Sequence, residues 1–397
     1  MRSAAVPFVR PICLRSRPGA GHDRKVTWLE LFLDLGFVAA VAQVVAPLAS
    51  DYSPTGVWRC ALLFLPIWWA YGLGRSAQGA WSGQSTFATR FDTDDGVQRV
   101  LTLLQLFVVA VMAVNAGDAI GSRDTRGFLA AYAVLRAVLS LQYLRAATLD
   151  DARALALTYA LGGGVAALLW VGTVALPGPA WVWWSAALAV DLLTPVLAER
   201  QSVEVPPDHA HLPERYGLFM LIMFGEALLA VMRGMGAQDG WSVEAAASAI
   251  LSFATIFALW SWYFDRLDAA AARRVACARD VRAFRAWSFA HIPLALALAL
   301  IGVGLEHAVR VATHARLDVV SGTLLGVALS LAVAALGVVA ASAESPEGGW
   351  APLRHVAAAV AAVVVGLEAS ALSPAVAIGL WAAVIGTQAW WPRAAAR

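Results

Sequence analysis

Long apolar stretches, each about the length of a bilayer crossing, recur along this chain and are parted by short polar turns. The pattern is neither the strict alternation of a half-buried strand nor the three-to-four spacing of a one-sided surface helix. A spanning helix needs about 20 mostly apolar residues. Segments that meet this rule run over about 27–48, 57–76, 97–116, 128–147, 155–176, 179–198, 214–232, 246–264, 286–308, 318–341, 353–371 and 374–391. The pattern predicts an all-α membrane protein with about twelve transmembrane helices occupying residues 26–392. Pro177-Gly178-Pro179 divides one long apolar run into two spans with a tight turn, and only Ser373 and Pro374 part the last two.

Composition agrees with lipid as the solvent. The chain is 60% hydrophobic and 14% charged, against about 45–50% and 25% for soluble domains. Its 17 Trp suit membrane–water boundaries. A net charge of +2 implies no nucleic-acid partner. Cys13, Cys60 and Cys277 lie far apart and form no CxxC pair, so they read as isolated thiols. Residues 1–25 carry Arg2, Arg10, Arg15, Arg17, Arg24 and Lys25, and Pro7 and Pro11 interrupt their apolar stretch. With no apolar core and cleavage site of a signal peptide, this reads as a basic, disordered cytoplasmic tail. A short tail, 393–397, follows the last span.

Lys and Arg set the orientation. With the N-terminus inside, about 22 of the 29 basic residues fall on the cytoplasmic side, and about six, Arg59, Arg123, Arg126, Arg233, Arg310 and Arg316, on the other. Both termini are then expected to be cytoplasmic. Twelve spans also allow two parallel six-helix repeats, 26–200 and 213–392, one way transporters are built. Glu30 opens the first span and Glu214 the seventh; Trp68-Trp69-Ala70-Tyr71 ends the second and Trp260-Ser261-Trp262-Tyr263 the eighth. The alternative is that aromatic and charged residues gather at interfaces anyway.

An ionisable residue inside a span is costly and marks a candidate site. Those here are Glu30, Asp34, Arg136, Asp191, Glu226, His291, Glu306 and His307. Glu30 and Asp34 share one helix face, one turn apart. Two carboxylates that close either share a proton or a cation, or each pairs with an arginine; Arg90, Arg99, Arg136 and Arg215 are available. The candidate proton or cation site is Glu30, Asp34, Asp191 and Glu226. Glu226 is expected to be protonated or paired with Arg136. Pro195, one turn after Asp191, frees a carbonyl beside that acid, which makes either a cation site or a simple kink.

The segment Arg90-Phe91-Asp92-Thr93-Asp94-Asp95 followed by Arg99 is a charge cluster between spans. A calcium loop starting at Asp92 would need Gly and Glu where Val97 and Leu103 stand. A salt-bridged latch or gate is the better reading, within a charge network that also takes in Arg136, Glu214, Arg215 and Asp265. Tyr263, His291, Glu306 and His307 are further candidates. No HExxH, GxSxG, P-loop, GxGxxG or CxxCH occurs, so neither a metal nor a cofactor is expected.

Several of these segments together resemble a known family. Val26-Thr27-Trp28-Leu29-Glu30-Leu31-Phe32-Leu33-Asp34-Leu35-Gly36-Phe37 is similar to the opening of the bacterial low-temperature-requirement A (LtrA) family. Arg90-Phe91-Asp92-Thr93-Asp94-Asp95 before Arg99, and Glu214-Arg215-Tyr216-Gly217-Leu218-Phe219 leading to Gly225-Glu226, match in order. Tyr263-Phe264-Asp265, and His291-Ile292-Pro293-Leu294 leading to Gly304-Leu305-Glu306-His307, continue the match to about residue 310. Leu33 and Ala227 depart from the family's usual Phe and Ser. The resemblance implies a multi-pass inner-membrane protein linked to growth in the cold, with no established reaction.

Three function classes follow. A proton- or cation-coupled transporter is favoured by the acids on several spans, with an unknown small solute or ion. A membrane-embedded enzyme acting on a lipid or isoprenoid phosphate would use the Asp92, Asp94 and Asp95 cluster. A sensor or structural partner would need a second protein or a homo-oligomer. Beyond these, only the lipid bilayer is an expected partner.

Overall fold

The computed structural model describes residues 8–14, 28–49, 53–68, 80–93, 95–121, 124–177, 179–205, 211–238, 240, 242–271, 278–342 and 350–391. Most are helical, because the apolar runs leave backbone N–H and C=O groups no partner in lipid other than their own helix. Two compact units result. One holds Met1–Val44 and Leu62–Arg215, the other Val45–Ala61 and Tyr216–Arg397.

In the first unit, α1 (Trp28–Val45), α2 (Pro54–Trp68, shared with the second unit) and α3 (Ala80–Arg90) precede α4 (Gly96–Gly121), α5 (Arg126–Ala146), α6 (Arg153–Ala175), α7 (Ala180–Leu197) and α8 (Glu199–Glu204). Helices α4 to α7 each pack against the next, as short connections dictate. Gly162 lets α6 approach α7: a Cβ there would stand 2.1 Å from Thr194 Oγ1. Helix α3 escapes the hydropathy pattern because it is too short and too polar to resemble a span. Within the basic tail, residues 8–14 meet α4 and the segment before it. The Val97 N–H donates to the Phe8 carbonyl at 3.0 Å, and β1 (Cys13–Leu14) pairs antiparallel with β2 (Phe91–Asp92).

The second unit holds α9 (His211–Gly236, from Tyr216 onward), α10 (Val243–Ala271), α11 (Ala278–Val311), α12 (Val319–Ala341), α13 (Ala351–Glu368) and α14 (Pro374–Ala389). Helix α11 packs on α12, α12 on α13, and α10 on α14. The α12–α13 seam is made of small residues, the device by which helices approach closely in lipid. A Cβ on Gly326 would lie 2.6 Å from the Ala362 carbonyl oxygen, and one on Gly366 would lie 2.6 Å from that of Gly322. Asp318 caps α12, its carboxylate accepting the Ser321 N–H at 3.0 Å.

Among the described residues, nine helices are long and apolar enough to cross a bilayer. Two more, Trp181–Leu197 and Pro374–Ala389, are apolar but shorter. The expected span at 57–76 is described only as far as Trp68, where α2 ends. The spans carry large apolar residues outward, such as Phe107 (65% exposed), Leu168 (73%) and Ile250 (68%), and these faces meet lipid. The chain is therefore an all-α, multi-pass membrane protein in contact with the bilayer.

Candidate functional site

The acids of α1 are placed by helical spacing. Asp34 is buried and Glu30, one turn earlier, is half-buried. Arg215, in the first turns of α9, donates through Nη2 to Asp34 Oδ1 at 2.9 Å. Both side chains are at most 1% exposed. Glu214, beside it, is exposed. Arg215, one of the arginines available to this pair of acids, thus reaches Asp34. Such a pair exists only because each charge compensates the other; removing either partner strands the other in a low dielectric.

A second buried pair lies within the first unit. Arg136 Nη2 of α5 stands 2.5 Å from Asp191 Oδ1 of α7, with side-chain exposures of 4% and 1%. The Trp170 indole N–H of α6 donates to Asp191 Oδ2 at 3.0 Å, and the Tyr132 hydroxyl also bonds this carboxylate. The Tyr132 ring meets Trp170 edge-on at 5.2 Å. Three helices thus converge on one carboxylate, and Pro195 sits inside α7 without ending it. Arg136 is therefore the partner of Asp191 and not of Glu226.

In the charge cluster before α4, several groups gather around Asp95. Its carboxylate caps α4, accepting the Gln98 N–H at 2.9 Å and, through the other oxygen, the Arg10 N–H at 2.8 Å. Arg145, at the end of α5, donates from Nη1 at 3.1 Å and from Nη2 to Asp95, and also to the Arg10 carbonyl at 3.1 Å. Burial by itself pushes the Asp95 carboxyl up, but Arg145 and the two backbone N–H groups hold it below the usual range. Arg99 is exposed. Arg90 is buried, its guanidinium carbon 5.7 Å over the Tyr159 ring. Asp94 and the side chain of Asp92 lie outside the described residues.

The second unit holds the remaining candidates. Glu226 is paired with Arg233, whose Nη1 donates to Oε1 at 3.1 Å, and the same guanidinium donates from Nε to Glu306 Oε2 at 3.2 Å. Arg233 is half exposed and Glu226 is 20% exposed, so this trio is far less enclosed than the Asp34 and Asp191 pairs. Arg310 donates to His307 Nδ1 at 3.2 Å. His291 is fully buried: the Tyr263 hydroxyl lies 3.0 Å from Nε2, and Nδ1 lies 2.7 Å from the Trp287 carbonyl. That carbonyl can only accept, so Nδ1 carries the proton and Nε2 receives the Tyr263 O–H. Asp265 is exposed. Apart from these charges, a cleft of about 540 Å³ lies between α9 and α10, lined only by apolar residues such as Phe224, Phe253, Phe257 and Trp260. Among the described residues, no three His, Cys, Asp or Glu gather as a metal site.

The partners Arg145, Arg233, Trp170 and Tyr132 were not among the sequence candidates. Two had a visible signal. Arg233 follows Glu226 by two helical turns and so shares its face. Asp95 and Arg145 bracket a helical hairpin, which brings its two ends level. Nothing local marks Trp170 or Tyr132.

Helices of spanning length, apolar outward faces and enclosed ion pairs define a polytopic α-helical membrane protein. The family model described as bacterial low temperature requirement A protein (LtrA) matches residues 25–389, and the chain belongs to that family. It is similar to an uncharacterized protein of Rhizobium meliloti (strain 1021), 26% identical over 254 residues, which are 60% of this chain and 58% of that protein. The matched part thus covers less than two thirds of the relative. No solved structure matches the chain.

Proposed function

We propose that this chain is a proton- or cation-coupled transporter of the bacterial cytoplasmic membrane, with Asp34 at its coupling site. The observation that carries this reading is the Asp34–Arg215 pair, both members at most 1% exposed on membrane-embedded helices. Charges enclosed in a membrane mark ion or proton paths by default. A carboxylate paired with an arginine has two arrangements: the ion pair, or a protonated or cation-bound acid with the arginine engaged elsewhere. Exchange between such states is what coupling requires. Glu30, one turn away, supplies a second carboxylate on the same helix face. Both termini on the cytoplasmic side and two parallel six-helix halves belong to the same reading.

Asp191 is assigned the opposite role. Arg136 lies against Oδ1 and the Trp170 indole N–H donates to Oδ2, so a transported cation would have to displace an enclosed arginine. That enclosure favours a second reading, in which the pairs are struts of a sensor or scaffold that works through a partner protein.

The test is ion flux in liposomes. Purified protein would face gradients of H⁺, Na⁺ and K⁺ in turn, with a dye reporting internal pH. Flux in the wild type and none in folded Asp34→Asn or Glu30→Gln/Asp34→Asn supports the coupling site. Undiminished flux in the double variant removes Asp34 from it; no flux in any of them favours the strut reading.

A further inference from the structure

Arg90 is the candidate cation for which the described residues offer no acid. It is 3% exposed, yet its Nε and Nη1 have no hydrogen-bond acceptor among the described residues. Asp95, the nearest acid along the chain with a described side chain, is held by Arg145, Arg10 and Gln98. Stacking over Tyr159 offsets part of the guanidinium's lost hydration, but an enclosed charge still calls for an opposite one.

Two more buried hydroxyls, those of Tyr159 and Ser202, have no partner among the described residues. Phe87, Phe91, Tyr143, Tyr159, Ala198 and Val205 belong to one buried cluster. Arg90 leaves α3 between Phe87 and Phe91, so it starts from the rim of that cluster. Ala198, Ser202 and Val205 fall on one face of the α8 turn, with Ser202 N–H bonded to the Ala198 carbonyl at 2.9 Å and Val205 N–H to that of Gln201 at 3.0 Å. Ser202 is therefore carried on the side that meets the cluster. A guanidinium and two hydroxyls, all able to donate, are the groups that suit a tetrahedral oxyanion. The Gln201 side-chain oxygen is also buried without a donor; it suits a phosphate that retains a hydroxyl, and turning the amide would add a further donor.

We propose that Arg90, Tyr159 and Ser202 form a seat for a phosphate group, borne by a lipid headgroup or free in solution. The site is separate from the Asp34 pair, and its test reads binding, not flux. Full-length protein in phosphatidylcholine nanodiscs would be unfolded thermally, followed by tryptophan fluorescence, over a titration of potassium phosphate against potassium chloride at matched ionic strength. A parallel set would contain phosphatidic acid in place of added phosphate.

Free phosphate as the ligand raises Tm by a few degrees at saturation. Arg90→Gln then raises the half-saturating phosphate concentration by about 10- to 100-fold. Arg90→Lys, which keeps the charge and loses the fork, falls between. A lipid phosphate gives the same pattern only in the phosphatidic-acid discs. Tyr159→Phe removes one hydroxyl and weakens whichever response the wild type shows, and it keeps the test open if Arg90→Gln does not fold. No Tm response in either set, or equal responses in wild type, Arg90→Gln and Tyr159→Phe, overturns the proposal.

Discussion

Asp191→Asn keeps the shape of the side chain and the acceptor for Trp170, but removes the charge that faces Arg136. Arg136 is 4% exposed at its side chain, so its guanidinium would be left enclosed without a counter-charge. Breaking a buried pair in this way costs about 3–5 kcal/mol, a large share of the roughly 5–15 kcal/mol that holds a domain together. Arg136→Met leaves the carboxyl instead. A carboxyl can neutralise itself by taking a proton, and the Trp170 and Tyr132 donors stay in place; a guanidinium cannot do the same. The cost of Arg136→Met is therefore smaller, about 1.5–3 kcal/mol, the range for a hydrogen bond to a charged group. The double variant Arg136→Met/Asp191→Asn recovers most of the loss, with an interaction energy of at least about 2 kcal/mol. Equilibrium unfolding in mixed micelles, followed by tryptophan fluorescence, measures all three. Variants that all lie within about 1 kcal/mol of wild type, or losses that simply add, would refute the account of this pair as an enclosed strut.

Gly326→Leu forces a side chain onto the Ala362 carbonyl, where even a Cβ would stand at 2.6 Å; Tm falls by many degrees or the protein is not recovered, whereas Gly225→Ala, which meets nothing within 4 Å, leaves Tm unchanged. Because the Asp95 carboxyl is held below its usual value, its contribution is complete above about pH 4 and is lost as pH falls through the lowered value. Hydrogen-exchange protection, measured against the intrinsic rate at each pH, should therefore be high at residues 8–14 and the start of α4 at pH 7 and fall in strong acid, while Asp95→Asn lowers it at pH 7 as well. His291→Phe strands the Tyr263 hydroxyl and costs about 1–3 kcal/mol; adding Tyr263→Phe should recover part of it, and a strictly additive double variant would mean that this bond does not hold the two helices.

The helices themselves were legible in the chain. A bilayer leaves a backbone little choice but to pair with itself, so a run of about 20 apolar residues is already a statement about structure. The same reasoning singled out Asp34, Asp191 and Glu226, since an acid within such a run is rare enough to stand out by position alone. Partners are another matter. Arg215 lies 181 positions from Asp34, and the arginine for Asp191 comes from a helix two spans earlier, because which helices lie side by side is settled by packing and not by local pattern. Arg136 meets Asp191 and Glu226 meets Arg233 for this reason: hydropathy locates a charge along a span, but not the direction in which its helix face turns. Tertiary structure alone shows that Asp191 is faced by Arg136 and Trp170, while Arg90 is enclosed with no acid beside it among the described residues. Burial and coordination arise only when separate segments meet, so a linear pattern carries the depth of each charge and the fold decides what compensates it.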